Sequence, residues 1–432
     1  MAITTWASFT RLVRAQGVRA ATIASQGAAL AQATSVIAAL GAGRTTDALN
    51  LLYLLMTAPM AIIARGILLP YAMVRPSFGR WRGASLASGA IAALAVPVGA
   101  LYLWSTTHYT SVDLWVLGIT LSITGAALSA SSIRAARLAC EGRPMAIAAL
   151  TIPTNVALSV APWLPGMTPE WSLGLTAGVV SLAQLVLTLR IPLRSPAPEE
   201  LARGTAPDRG QLASLSLSAL SGYAGPTILQ GMAATLPAGQ LTLLGLLTKA
   251  LGAIINLGIG VALLQKSNWA SAASRPMERI ATVSAYGTPI TCAIAGLLFQ
   301  HQQWRSIVVA SLAWFGLACW AIISNRWLQL ASHSTGLRYS AWFGVATQVS
   351  ALGLFMANHT AAGYVFASAV PVAIGAGIAE AALRTSRWIL APAAIISLLL
   401  TLEVGQDVIG SALAALTATA GYAYIFARRR NA

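Results

Sequence analysis

The chain has 432 residues, of which 57% are hydrophobic and only 9% charged, with a mean hydropathy of +0.71. A soluble domain averages about 45–50% apolar and roughly 25% charged residues, so an ordinary soluble fold is excluded. The net charge of +16 would suggest nucleic acid in a soluble protein, but here its placement makes it an orientation signal.

From the N-terminus, Trp6, Phe9, Leu12 and Val13 stand at helical spacing with Arg11, Arg14 and Arg19 on the other side. The pattern fits a short interfacial helix or a disordered tail. The apolar stretch that follows runs directly into another, so it reads as a retained span rather than a cleaved signal. Apolar windows fall near 20–40, 47–74, 84–104, 113–133, 145–163, 171–189, 212–235, 240–264, 281–299, 306–324, 340–357, 362–382, 388–403 and 407–427. A span needs roughly 20 apolar residues, which predicts an all-α polytopic membrane protein with about 14 transmembrane helices.

The basic residues test that count. With the N-terminus inside, 23 of the 27 Lys and Arg residues fall in cytoplasmic segments, from Arg11, Arg14 and Arg19 to Arg428, Arg429 and Arg430. Only Arg44 and Arg305 fall outside, and only Arg65 and Lys249 lie within spans. A miscount of one span would scramble this alternation, which is what the positive-inside rule requires. The charge therefore faces an anionic leaflet, and no nucleic-acid partner is expected. Arginine outnumbers lysine 25 to 2, which fits a GC-rich genome.

The longest polar break, "RIPLRSPAPEELARGTAPDRGQ" from Arg190 to Gln211, reads as a cytoplasmic linker. It divides an N-lobe over 1–190 from a C-lobe over 212–382, with 191–211 as the linker and 383–432 as a C-terminal helix pair. Prolines inside spans, among them Pro59, Pro97 and Pro153, predict kinks that membrane helices tolerate. Cys140, Cys292 and Cys319 lack metal-ligand spacing and suggest no disulfide framework.

The junction between the first two spans, "LGAGRTTDALNLLYLL" from Leu40, aligns without gaps with "LPAGQLTLLGLLTKAL" from Leu236. Gly43 pairs with Gly239 and Thr46 with Thr242. Each copy joins the first and second spans of its half, and parallel half-repeats commonly place a transport site at their interface. Within the first copy, Thr45 or Thr46 can cap the second helix. Asp47 suits that helix's positive end, and Arg44 could pair with it.

"AALGAGRTTDALNLLYLL" followed by "ARGILLPYAMV" resembles the start of lipid II flippases of the MurJ type, within the larger superfamily of polysaccharide flippases and multidrug exporters. "GPTILQG" at Gly225–Gly231 and "ARLACEGRPMAIAA" fit the same superfamily. The resemblance implies two six-helix lobes that alternate access around a central cavity. It also implies a lipid groove at the last two spans, an undecaprenyl-diphosphate-linked sugar as cargo, and membrane lipids as surroundings. Where that family carries first-span arginines, this chain has Gln26 and Gln32. Met60 and Ala61 replace a second-span arginine pair, with Arg65 one turn further on, and Lys249 is the cation nearest a second-half Asp–Arg pair.

A charge at bilayer depth costs about 2.5–3.5 kcal/mol on insertion scales, so Arg65 and Lys249 need a reason. Capture of a diphosphate is one, since arginine binds phosphate oxygens bidentately and lysine as a point charge. Snorkelling or a local acidic partner is the other. Gln26, Gln32 and Asn256 can hydrogen-bond sugar or phosphate, or simply neighbouring helices. Glu403 and Asp407, four residues apart, could bind a coupling cation or merely hydrate. Glu380 and Arg384 fit an i,i+4 pair.

Other classes fit less well. A membrane enzyme needs clustered carboxylates or a partnered histidine, and His108, His301, His333 and His359 are scattered over loops. The lone Gly-Ala-Gly at 41–43 lacks a dinucleotide fingerprint, and no cofactor is implied. An exporter of organic cations would favour acidic residues at mid-depth, where this chain offers cations and amides. A flippase for lipid II or for another polysaccharide repeat is therefore the expected function. The expected setting is a monomer in the cytoplasmic membrane with both termini inside.

Overall fold

The computed structural model describes residues 2–69, 81–107, 112–193, 209–255 and 275–299, together with scattered positions between 305 and 368. Asn256, Glu403, Asp407 and the expected C-terminal helix pair over 383–432 lie outside the described residues. The main elements are α1 (Ala2–Leu40), α2 (Arg44–Pro59) continued by a π-helical segment (Met60–Leu68), and α3 (Trp81–Thr107). Then follow α4 (Val112–Cys140), α5 (Met145–Ala148), α6 (Ile152–Val160), α7 (Pro169–Arg190), α8 (Arg209–Ala233), α9 (Gln240–Ile255) and α10 (Arg275–Leu298). A shorter apolar helix, α11, covers Ser311–Trp320.

Among the described residues, six stretches are long and apolar enough to cross a membrane: Ala20–Leu40, Arg44–Leu68, Arg82–Thr106, Val112–Cys140, Met145–Trp163 and Pro169–Arg190. They coincide with the first six predicted windows. The protein is an all-α, multi-pass membrane protein.

Two spans depart from regular helices, and proline accounts for both. Pro59 removes a backbone donor and crowds the preceding turn, and the helix widens into the π-segment from Met60. The Thr57 hydroxyl covers carbonyls on that turn, donating to Tyr53 O at 3.0 Å and Leu54 O at 3.2 Å. The fifth span, expected as one helix, is broken between α5 and α6, where Pro153 enters the first turn of α6. Gln184 Nε2 donates to the Leu150 carbonyl at 2.5 Å, so a side chain of α7 satisfies a carbonyl freed at the break. The N-terminal segment, expected as a separate interfacial helix or a tail, instead continues into α1 as one helix of 39 residues.

Side-chain contacts fix the directions of the spans. Between α3 and α4, Ser122 Oγ donates to Ala93 O at 2.6 Å, Gly118 faces Ala100 and Gly89 faces Ala126. Rising numbers thus meet falling ones, and the pair is antiparallel. Between α4 and α7, Gly174 faces Thr120 and Arg134 Nε donates to Thr188 O, 54 residues on, at 2.7 Å. These two helices are parallel. So are α1 and α6, where Ser25 Oγ and Thr151 Oγ1 share a hydrogen bond of 2.9 Å and Ser35 Oγ donates to Ser159 O at 2.6 Å. This is the alternation of a chain that crosses and recrosses.

Lipid tails are as apolar as leucine, so helices in a bilayer associate through close packing at small residues. The buried faces combine such residues with a core of Leu49, Leu52, Met56, Val96, Leu117, Leu121 and Leu158. Leu86, Leu94 and Val98 of α3 and Val179 and Leu187 of α7 are exposed, as a lipid-facing surface requires. Exposed Trp104, Trp163 and Trp171 mark one end of the spans, as an aromatic belt does. At the other end Arg134 Nη2 donates to Leu189 O at 2.8 Å and Ile191 O at 2.6 Å. A cation there satisfies the terminal carbonyls of α7 and complements its dipole.

The chain divides into two compact units, Met1–Lys266 and Ser267–Ala432. The first takes in α8 and α9, which follow the predicted linker and pack against α1, α2 and the π-segment. In the second, Thr288 of α10 packs on Gly316 of α11, and Trp320 and Phe355 are fully buried.

A Cβ at Gly174 would lie 1.9 Å from Thr120 Oγ1 and 2.8 Å from Thr120 Cβ, whereas one at Gly178 meets nothing closer than 3.9 Å. Gly174→Ala is therefore expected to destabilise the α4–α7 pair by about 1–3 kcal/mol, and Gly178→Ala to leave it near the parent. Thermal unfolding in detergent checks the contrast.

Candidate functional site

The site begins where α1 gives way to α2. Gly41, at φ +75°, lets the chain leave α1 through the left-handed region that glycine tolerates. Gly43 is then the N-cap of α2, and Thr46 closes the turn. The Gly43 N–H donates to Thr46 Oγ1 at 2.9 Å, and that hydroxyl donates back to Gly43 O at 2.8 Å. The N-cap expected at Thr45 or Thr46 thus falls instead on Gly43, and Thr46, inside the first turn, reaches back to its backbone.

Asp47 does more than complement its own helix. It is 7% exposed, and its carboxylate reaches the second copy of the junction. Oδ2 accepts from the Gly239 N–H at 2.7 Å, while Oδ1 accepts from the Thr242 N–H at 2.7 Å and the Thr242 hydroxyl at 2.6 Å. These donors open α9, so an acid of the first repeat caps a helix of the second. Unsatisfied N–H groups and a positive dipole end make that the favoured place for a carboxylate. Gly239, at φ +88°, allows the approach, because a Cβ there would stand 2.6 Å from Ala42 O. Asn50 Nδ2 adds a long bond to Thr242 Oγ1 at 3.4 Å, and Tyr102 Oη donates to Gly231 O at 3.0 Å. Arg44 is exposed at the first position of α2, while both Asp47 oxygens are engaged by α9.

From this end α2 and α9 run parallel, with partners 195 residues apart at Asp47–Thr242 and Gly245 beside Asn50. The two aligned copies therefore lie side by side. At a rise of about 1.5 Å per residue, Lys249, Tyr53 and Gln32 each lie roughly 12–15 Å along their helices from the junction. That is close to half the thickness of a hydrocarbon core of about 30 Å.

At this depth four helices converge. Lys249 Nζ of α9 donates to Gln32 Oε1 of α1 at 2.8 Å and stands over the Tyr53 ring of α2, 5.0 Å from its centroid. Tyr53 Oη donates to Asn155 Oδ1 of α6 at 2.7 Å. Gln32 and Asn155 are 2% and 1% exposed. A charge-assisted bond and a cation–π contact hold the ammonium, yet both described partners are neutral. Among the described residues its positive charge is solvated locally without being compensated.

Of the residues expected from sequence, Gln32 and Lys249 are thus brought together directly. Arg65 is exposed on the π-segment, with its charge in electrostatic reach of Tyr53. Gln26 is half-buried nearly two turns from Gln32 and outside the cluster. Sequence reasoning missed Tyr53 and Asn155. A lone amide two residues after Pro153 in an apolar span was the available signal for Asn155, whereas Tyr53 resembles any packed aromatic. Among the described residues no three His, Cys, Asp or Glu side chains gather as a metal site would need.

No family model matches the sequence, and no curated protein matches it. A solved structure of the lipid II flippase MurJ, in an inward closed conformation, is similar with a TM-score of 0.56. The match covers 96% of this chain and 99% of that one at 10% sequence identity. The fold is MurJ-like. Within this MurJ-like fold, the junction that carries the sequence resemblance is one of the places where the two aligned segments touch.

Asp47→Ala would leave Gly239 N–H, Thr242 N–H and the Thr242 hydroxyl without their acceptor. A loss of about 2–3 kcal/mol is expected, with Asp47→Asn intermediate because its amide keeps one acceptor oxygen. Melting temperatures of the purified variants in one detergent give the ranking.

Proposed function

We propose that the protein is a flippase that carries a lipid-linked, diphosphate-bearing sugar precursor from the inner to the outer leaflet of the cytoplasmic membrane by alternating access. The observation that carries this reading is Lys249, a cation at mid-depth between the repeats whose described partners, Gln32 and Tyr53, are both neutral. Such a group attracts an anion, and a drug exporter for organic cations would want the opposite sign. The MurJ-like fold supports the same class, and the neighbour's cargo, lipid II, is a lipid-linked diphosphate.

In this reading fourteen helices form two six-helix lobes and a C-terminal pair, with both termini cytoplasmic as the arginine distribution requires. The Asp47 contact lies at the outer end and closes it. Opening to the outside separates α2 from α9, and water then replaces the protein partners of the Asp47 carboxylate and the α9 amides. Because a net hydrogen bond contributes only about 1 kcal/mol, a polar closure of this kind is reversible. Arg65 and Gln26, nearer the inner end, meet the headgroup on entry, and Lys249 and Gln32 hold its phosphates at mid-depth. Asn256, the residue after Ile255 in the sequence, is assigned to the same path. Glu403 and Asp407 are the acidic pair for a coupling cation. The protein acts as a monomer without a cofactor, and no nucleotide-binding motif is present in its sequence.

The test is reconstitution into liposomes with lipid II and, separately, with an undecaprenyl-linked oligosaccharide. Headgroup exposure in the opposite leaflet reports translocation. At least one cargo should cross, with Lys249→Met slowing it about tenfold or more and Arg65→Ala less. Movement of neither cargo by the parent protein would refute the reading.

A further inference from the structure

Asn155 carries a donor without a partner among the described residues. The residue is 1% exposed, its Oδ1 is taken by the Tyr53 hydroxyl at 2.7 Å, and its Nδ2 makes no hydrogen bond. The Tyr53 O–H donates to the amide oxygen and so fixes which end of the amide is left free. It is the NH2 end, with two N–H donors. The face of the same tyrosine carries Lys249 Nζ at 5.0 Å. That ammonium has three N–H donors, of which one is seen to bond Gln32.

Tyr53 thus stands beside two groups that each keep N–H donors unengaged among the described residues, and their characters differ. Lysine supplies charge without direction, while an asparagine amide supplies direction without charge. A ligand that satisfies both is an anion with several acceptor oxygens, and phosphate is the class that fits. A neutral sugar hydroxyl would leave the charge uncompensated, and a cation would be repelled by it.

We propose that Asn155 and Lys249, held by Tyr53, form one phosphate cradle, with the Gln32 oxygen as the acceptor that phosphate displaces from the ammonium. The idea rests on the flippase reading and adds a helix to its site. The broken fifth span takes part in binding through α6, and Tyr53 is a positioning residue. Because the break between α5 and α6 is bridged to α7 by Gln184, Asn155 is presented from a short helix anchored at its start.

The experiment uses the full chain in lipid nanodiscs, titrated with undecaprenyl diphosphate and, separately, with inorganic pyrophosphate, and read by tryptophan fluorescence. The parent should bind the lipid diphosphate. Asn155→Leu and Tyr53→Phe should weaken binding about tenfold, and the near-isosteric Asn155→Asp should weaken it more, since its carboxylate pairs with Lys249 and repels phosphate. Pyrophosphate binding with the same Asn155 dependence identifies phosphate itself as the recognised group. Binding of the lipid alone with that dependence supports the cradle and adds a requirement for the chain. If the parent binds and both Asn155 variants match it, the cradle is wrong while the flippase reading stands. If the parent transports but binds neither probe at this site, the cradle is also wrong; absence of both binding and transport overturns the two together.

Discussion

A buried carboxylate has to be surrounded by donors, and Asp47 finds them on the other repeat. That requirement fixes much else in the first compact unit. Once Asp47 caps α9, α2 and α9 start level and run parallel, and whatever each carries ten or so residues later meets at one depth. Lys249 and Tyr53 are placed together by this alignment. Gln32 joins them because α1 descends from the same junction in the opposite sense to α9. The close approach at Gly239 and Ala42 is the local condition for this register. A side chain at Gly239 would push α9 away and lengthen three short bonds at once.

The electrostatics of the cluster follow from what the alignment leaves out. An ammonium taken to mid-membrane normally pairs with an acid or faces water. Lys249 meets an amide oxygen and an aromatic face, which stabilise a cation without neutralising it. The carboxylate that might have neutralised it is engaged about 14 Å away at the end of the same helix. Closure and charge are thus separated along α9. The acid joins α2 to the start of α9, and the base bonds an amide oxygen further along the same helix. One helix therefore carries both the amides that hold the Asp47 carboxylate and the lysine of the mid-depth cluster.

Much of the fold was legible in the sequence, because membrane spans are set by the composition of long apolar runs. The first six windows match the spans, and the alignment of Leu40 with Leu236 anticipated two segments that pack together. The site was legible only in part. Lys249 and Gln32 stood out as polar groups in apolar windows, and their meeting follows from the repeat. The partner of Asp47 did not stand out, since sequence patterns reveal neighbours three or four residues away and this contact spans 192 and 195 residues. Local reasoning assigned the acid to its own helix end and to Arg44. Tyr53 and Asn155 were hidden for another reason. An aromatic and an amide inside apolar helices are ordinary packing residues until a neighbour with a charge or a missing partner gives them a role. The break in the fifth span belongs with these, because Pro153 predicts a disturbance but not which side chain will close it.

The most direct measurement is an electron cryo-microscopy map of the protein in nanodiscs with a bound undecaprenyl-diphosphate-linked sugar. The account predicts phosphate density within hydrogen-bond distance of Lys249 Nζ, between α1, α2 and α9, with the Gln32 contact released. A headgroup bound elsewhere, with Lys249 still bonded to Gln32, would contradict it.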